Sequence, residues 1–227
     1  RAIARVVEPG IRVLYIEGTL RAEYGAIGDR FLAKAPDLQF CALVQTRPNG
    51  LDKINPKTRD GDPAAWAAAV QAIADIVAAQ KPRVVFMPHA QDWNSTHIGT
   101  NLLVMEALAK RGASCTCYVV ETEFWGAMSD PNIMLEIRAE DLADMIAATT
   151  FHVGEVARNP YHLLLPPWMM DNVRRGSEVA GGQGGAAPDF KFAALYRLSR
   201  WTQGVAAKAF SGGKQVPASM NVGELFP

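Results

Sequence analysis

Four short runs of apolar and β-branched residues recur along the first half of the chain: Ile11–Ile16, Asp37–Val44, Pro82–Met87 and Ser114–Val120. Each is nearly continuous in apolar character instead of alternating, the pattern of a strand buried on both faces of a parallel sheet. Helical stretches separate them. Glu23–Ala35 reads as one helix, and a second is expected to start at Asp62 as N-cap with Pro63 in the first helical position. From there Trp66, Val70, Ile73 and Val77 recur at spacings of four, three and four, which makes one buried stripe. A third helix is expected from about Thr96 to Arg111, closed by Gly112. Strands alternating with helices of this length imply right-handed crossovers and an α/β fold whose mainly parallel sheet is covered on both sides.

The remaining segments are less periodic. Arg1–Val7 reads like the tail of a helix running into the Pro9-Gly10 turn, and Arg47–Asp60 reads as a long surface loop because it is rich in Pro, Asn, Gly and charge. Further on, Ile133–Ile137 is a candidate strand, Ala139–Val156 a helix, and Asn172–Glu178 part of another helical piece. Gly181–Pro188 is a flexible loop that lacks the Lys-Ser/Thr ending of a phosphate-binding loop, and Phe190–Leu198 fits a final strand or a short helix. No internal repeat is seen. One domain is expected over 1–227, with a sheet core in 1–125 completed by elements from 126–227.

Charge narrows the function classes. Lys plus Arg and Asp plus Glu each number 23, so no global field draws the chain toward nucleic acid or an anionic membrane, and the expected partner is a small or neutral molecule. The three cysteines, Cys41, Cys115 and Cys117, lie in β-like apolar runs and read as buried small hydrophobes, which points to a reducing compartment. No apolar run approaches the roughly 18 residues of a membrane span, and no signal-peptide pattern opens the chain. A cytoplasmic enzyme is the working class.

The chemistry-bearing residues converge where the run Pro82–Met87 empties into a polar loop ahead of the third helix. Four candidate ligands or acid–base groups, His89, Asp92, Asn94 and His97, fall in this segment. An open α/β sheet places its ligands there, beyond the carboxyl ends of its strands. A neutral imidazole on the first turn of such a helix is held rigidly and can bind zinc at about 2.0–2.1 Å. Taken alone, a histidine in this position is more often a hydrogen-bonded or capping residue.

From the Asp62 helix through Leu108, the pattern resembles the PIG-L/LmbE-like family of N-acetylglucosamine deacetylases, whose members are Rossmann-like and typically zinc-dependent. Their segment of Asp followed by His-Pro-Asp-His, opening a helix, corresponds to Asp92-Trp93-Asn94-Ser95-Thr96-His97. The resemblance makes His97 a metal ligand and gives Asp92 and Asn94 catalytic roles. Asn94 stands where the family has its first His, and Thr96 where it has Asp, so two ionisable groups are replaced. Arg21-Ala22-Glu23 is similar to the family's Arg-x-x-Glu element, with the spacing off by one and the loop Gly18–Leu20 shorter, as if residues were absent between Thr19 and Arg21. His152-Val153-Gly154-Glu155 is similar to its His-x-Ser-Gln element, followed by Arg174-Arg175-Gly176. Arg21, Glu23, His152 and Arg174 are therefore expected to bind substrate, whereas His162 reads as structural.

The resemblance implies a three-layer Rossmann-like fold and a zinc-dependent hydrolase that removes an N-acetyl group from an amino sugar or related small amide. The family's His-Pro-Asp-Asp motif, with two metal ligands and the catalytic base, occurs nowhere in this sequence and is expected upstream of Arg1. The alternative is a catalytically silent carbohydrate-binding or partner-binding protein of the same fold, favoured by Asn94, Thr96 and that missing motif. A nucleotide-binding protein is disfavoured because no early G-x-G-x-x-G is present.

Overall fold

The computed structural model describes residues 12–17, 39–44, 54–180, 182, 184 and 186–227, the first two stretches as backbone. The readings of Arg1–Val7 and Glu23–Ala35, and Arg21 with them, lie outside these residues, as do the first part of Arg47–Asp60 and part of Gly181–Pro188.

The protein is a mixed α/β structure on a mostly parallel, open sheet. Strands β1 (Arg12–Glu17), β2 (Gln39–Val44), β3 (Val84–Pro88) and β4 (Cys117–Thr122) coincide, within two or three residues at each end, with the four apolar runs. They pair in parallel in the order β2-β1-β3-β4. Beyond β4 the direction reverses: β6 (Phe192–Thr202) runs antiparallel to β4 and to β5 (Ile133–Ile137). A short β7 (Val205–Lys208) pairs with β6, and β8 (Lys214–Val216) pairs in parallel with β5. Phe190–Leu198 is thus resolved as strand, though two further strands follow it.

The apolar runs of β3 and β4 are continuous because both faces of these strands are covered. All six residues of β4 are buried. Val85, Met87, Cys117 and Val119 belong to one apolar cluster, and Val84, Tyr118 and Val120 to another, as the two-residue period of a strand requires. Helices α2 (Pro63–Gln80) and α3 (Ser95–Arg111) cover the first with Trp66, Val70, Ile73, Val77, Leu103 and Leu108. The C-terminal residues cover the second: Leu225 and Phe226 join it, Arg83 donates to the Phe226 carbonyl, and the Tyr118 hydroxyl donates to Pro227 O at 2.9 Å. Cys115 and Cys117 are free and buried, and they share a hydrogen bond that lowers the pKa of Cys115 and raises that of Cys117. Among the described residues no helix is long and apolar enough to cross a membrane.

Local sequence explains the helix ends. Asp62 Oδ1 accepts from Ala65 N at 3.0 Å with Pro63 following, so α2 starts at the expected residue. The Arg47–Asp60 loop reading needs correction, because α1 (Pro56–Gly61) occupies its end. Asn55 and Thr58 cap that helix reciprocally, at 3.0 and 3.1 Å, with Pro56 opening its first turn.

The single helix expected over Ala139–Val156 is two, α4 (Ala139–Thr150) and α5 (Val153–Arg158). Thr149 and Thr150 turn their hydroxyls back onto the Met145 and Ala147 carbonyls, and His152 leaves helical geometry at φ −87, ψ 65. Helix α6 (Tyr161–Val179) contains the expected piece Asn172–Glu178 and extends eleven residues before it, with Pro166 and Pro167 inside. Those two prolines remove only the donors to the carbonyls of His162 and Leu163.

Gly99 marks the tightest contact between α3 and the start of α1. A Cβ there would lie 2.6 Å from Asn55 Cα, 2.7 Å from Asn55 N and 2.8 Å from Ile54 C. Alanine is ordinarily favoured over glycine inside a helix by about 1 kcal/mol, but backbone cannot move aside as a side-chain tip can. Gly99→Ala is expected to destabilise the protein by about 1–3 kcal/mol in urea unfolding. An unchanged or raised midpoint would show that the Asn55 segment yields instead.

Candidate functional site

Strand β3 ends at Pro88, whose carbonyl is satisfied by Asn101 Nδ2 at 2.9 Å, and the chain then turns through residues 89–94 into α3. Asn94 is the N-cap: its Oδ1 accepts from Thr96 N at 2.8 Å. That cap sets the first turn of α3 and so places His97 above the carboxyl ends of β3 and β4.

Asp92 organises the loop. Its Oδ1 accepts from Asn94 N at 2.8 Å and lies 3.1 Å from His97 Nδ1, while Oδ2 accepts from Trp125 N at 3.0 Å and Gly126 N at 3.3 Å. The side chain is fully buried. Burial alone would raise its pKa, but the three backbone donors and His97 together outweigh it and hold the carboxyl below its ordinary value. An ionised carboxylate only accepts, so Nδ1 of His97 is the nitrogen that donates to it, and Nε2 is the ring nitrogen turned away from Asp92. Among the described residues Nε2 has no hydrogen-bond partner. The His97 ring is 17% exposed and tilts against Phe124 with centroids 4.7 Å apart.

Gly126 allows this closeness. A Cβ there would come within 3.0 Å of Asp92 Cα, 3.1 Å of Gln91 O and 3.2 Å of Trp93 N.

His89 does not join the set of available ligands. Its side chain is fully buried, with Nδ1 accepting from Gln91 N at 3.3 Å and Nε2 lying 2.8 Å from Gly126 O, so both nitrogens are engaged. Among the described residues no group of three or more His, Cys, Asp or Glu is placed to hold a metal ion. The described donors thus fit one ligand position, His97 backed by a carboxylate, and not a complete metal site.

Of the expected site residues, the structure brings Asp92, Asn94 and His97 together. Arg21 and Glu23 lie outside the described residues. His152 caps α5, its carbonyl accepting from Glu155 N and Val156 N. Arg174 lies on the exposed side of α6 and pairs along its own helix with Asp171 at 2.8 Å and Glu178 at 3.4 Å. His162 Nδ1 is buried without a hydrogen-bond partner among the described residues.

Sequence reasoning missed the charged groups beneath the site. Glu121 at the end of β4 forms a bidentate pair with Arg197 of β6, both contacts at 2.6 Å, and also accepts from Asn101 Nδ2 at 3.0 Å. Glu123 pairs with Arg175 of α6 at 2.7 and 3.1 Å. The available signal was the string Tyr118-Val119-Val120-Glu121-Thr122-Glu123, in which acids close a strand buried on both faces and therefore demand cations. An open cleft of about 550 Å³ elsewhere, lined by Arg59, Trp66, Val70, Glu106 and Lys110, contains none of these residues.

No protein-family model matches the chain, and no curated protein matches it. Among solved structures, the fold is similar to that of a conserved protein from Thermus thermophilus, with a TM-score of 0.45 and 16% identity over 81% of this chain and 92% of that one. At that level nothing about activity transfers.

The folded-state pKa of Asp92 is depressed, so its stabilisation is complete above the ordinary carboxyl value and is lost as pH falls through the depressed one. Asp92→Asn should cost about 2–3 kcal/mol at pH 7, because an amide cannot accept from four donors at once. The gap from wild type should narrow below about pH 4. Urea unfolding at pH 7 and pH 3 checks this, and an equal gap at both would show that the charge is not what holds the loop.

Proposed function

We propose that the protein is a metal-dependent hydrolase that removes an N-acetyl or similar acyl group from an amino sugar or related small amide, on a three-layer, Rossmann-like α/β fold. The observation that carries this reading is the Asp92–His97 pair at the carboxyl edge of the parallel strands, with Nδ1 tied down and Nε2 presented. His97 is the residue that would hold a divalent ion, zinc in the first instance. When bound, such an ion lowers the pKa of a coordinated water toward about 7.

This chain's own residues have separable tasks. Asp92 is enclosed and acts through His97 as a positioning residue, fixing both its tautomer and its ring direction. The side-chain Oδ1 of Asn94 is spent on the helix cap, which leaves its amide nitrogen as a donor toward a developing oxyanion.

Asn94 also favours a second reading, a silent carbohydrate-binding or partner-binding protein of the same fold. On that reading Asn94, standing where the resembled family has an ionisable histidine, serves only as the helix cap. Metal analysis separates the two. The full native protein is expected to carry about one equivalent of divalent metal and to release acetate from N-acetylglucosamine. His97→Ala should lose most of the metal and at least about 100-fold of the rate, the size typical of losing a ligand or its support. Wild-type protein that binds no divalent metal and releases no acetate would favour the silent reading.

A further inference from the structure

The amino-terminal end of β4, at the opposite end of that strand from the candidate site, carries two thiols. Cys115 and Cys117 are free, 8% and 3% exposed, and members of one apolar cluster with Val119. Cys115 is already extended, at φ −120 and ψ 125, as the chain enters the strand that Cys117 opens. Residues two apart in extended chain point to one face, so the two side chains are neighbours. The Cys117 thiol donates to the Cys115 sulfur. That hydrogen bond, with the Arg111 guanidinium nearby, outweighs burial and brings the Cys115 thiol down to about 7, whereas Cys117 is held protonated.

The third cysteine is out of reach. Cys41 stands on β2, which β1 and β3 separate from β4, so three strand spacings of about 4.8 Å intervene. The face that the two thiols share also holds a donor with no acceptor. Trp201 stands opposite Cys117 in the ladder and lies in the same cluster, and its buried Nε1 has no hydrogen-bond partner among the described residues. An oxygen gained by a sulfur on that face would supply an acceptor.

We propose that Cys115 and Cys117 are a reversible dithiol–disulfide site oxidised by a small hydroperoxide, with Cys115 the attacking sulfur and Cys117 the resolving one. In the first step the Cys115 thiolate attacks the peroxide. An S–O bond forms, the O–O bond breaks, and the departing oxygen takes up a proton and leaves as water or an alcohol. Sulfur has lost two electrons and the peroxide has gained them. In the second step the Cys117 sulfur attacks the Cys115 sulfur: the S–S bond forms, the S–O bond breaks, and the hydroxide leaves with the Cys117 proton as water. A flat strand sets the two Cα atoms about 6.6 Å apart, close to the upper limit of about 6.8 Å for a bridge. The bond so formed is strained and easily reduced, which suits a reversible site and not a structural staple.

The folded native protein, treated with a small excess of hydrogen peroxide and then unfolded for thiol titration, is expected to lose two of its three free thiols. Peptide mapping should show the segment 115–117 lighter by two hydrogens, and dithiothreitol should restore all three thiols. Cys117→Ala should stop at a sulfenic acid on Cys115 that dimedone captures. In Cys115→Ala, the remaining Cys117 should react with peroxide at least about 10-fold more slowly than Cys115 does in wild type. Equal rates would remove the assignment of Cys115 as the attacking sulfur. Survival of all three thiols in wild type, a bridge to Cys41 or between chains, or oxidation that dithiothreitol does not reverse overturns the proposal. The wild-type thiol count decides the matter even where an alanine variant fails to fold.

Discussion

The arrangement of the site depends on the burial of one negative charge. A carboxylate taken out of water without compensation costs far more than a folded domain's whole margin of stability. Asp92 is compensated by three backbone N–H groups and one imidazole that converge from two different segments of chain. None of those donors can be displaced without leaving the charge under-solvated. The loop after β3, the first turn of α3 and the segment after β4 are held in one mutual position as a result. His97 inherits its direction from that constraint.

The same electrostatic requirement joins the two halves of the protein. Glu121 sits near the end of β4 and Glu123 just past it, both with nearly enclosed side chains, and each finds a cation. Arg197 comes from the antiparallel strand β6 and Arg175 from α6, which docks the C-terminal elements onto the parallel half in a defined register. Replacing such pairs by apolar residues of similar size would not have to cost stability. Their contribution here is to specify which strand lies beside β4 and how it is aligned, because Arg197 must stand opposite Glu121 in the ladder, as it does. The sheet changes from parallel to antiparallel at the place where this charge pair sits.

Features governed by neighbours in sequence were legible, and those governed by distant partners were not. The four strands of the parallel part are apolar runs of the right length, and Asp62-Pro63 announces its helix by a cap that reaches three residues. Asp92, Asn94 and His97 lie within six residues, so their convergence could be read from spacing along a turn. The break at Phe151–His152 could not, since it turns on two threonine hydroxyls competing for carbonyls inside a periodic pattern. The pattern marks only Asn172–Glu178 as helical in a helix, α6, that begins at Tyr161 and carries Pro166 and Pro167 inside. Glu121 and Arg197 are 76 residues apart and Glu123 and Arg175 are 52 apart, and nothing local joins them. Of the two adjacent arginines, Arg174 and Arg175, helical phase decides which faces solvent and which faces the sheet. Only the packed structure supplies that phase.

The identities of Asn94 and Thr96 bear on what the loop can do. Asn94 Oδ1 accepts from Thr96 N, so the side-chain oxygen of Asn94 holds the turn that presents His97. Among residues 92–97 the imidazole is then the one group that titrates near neutrality by its ordinary chemistry and is not enclosed, since Asp92 is buried. Specificity in such a site has to come from its surroundings. The backbone on which Trp93 and Trp125 sit is held by the same carboxylate. The proposed hydrolase and its silent alternative would share this scaffold and differ in what, if anything, the one presented histidine holds.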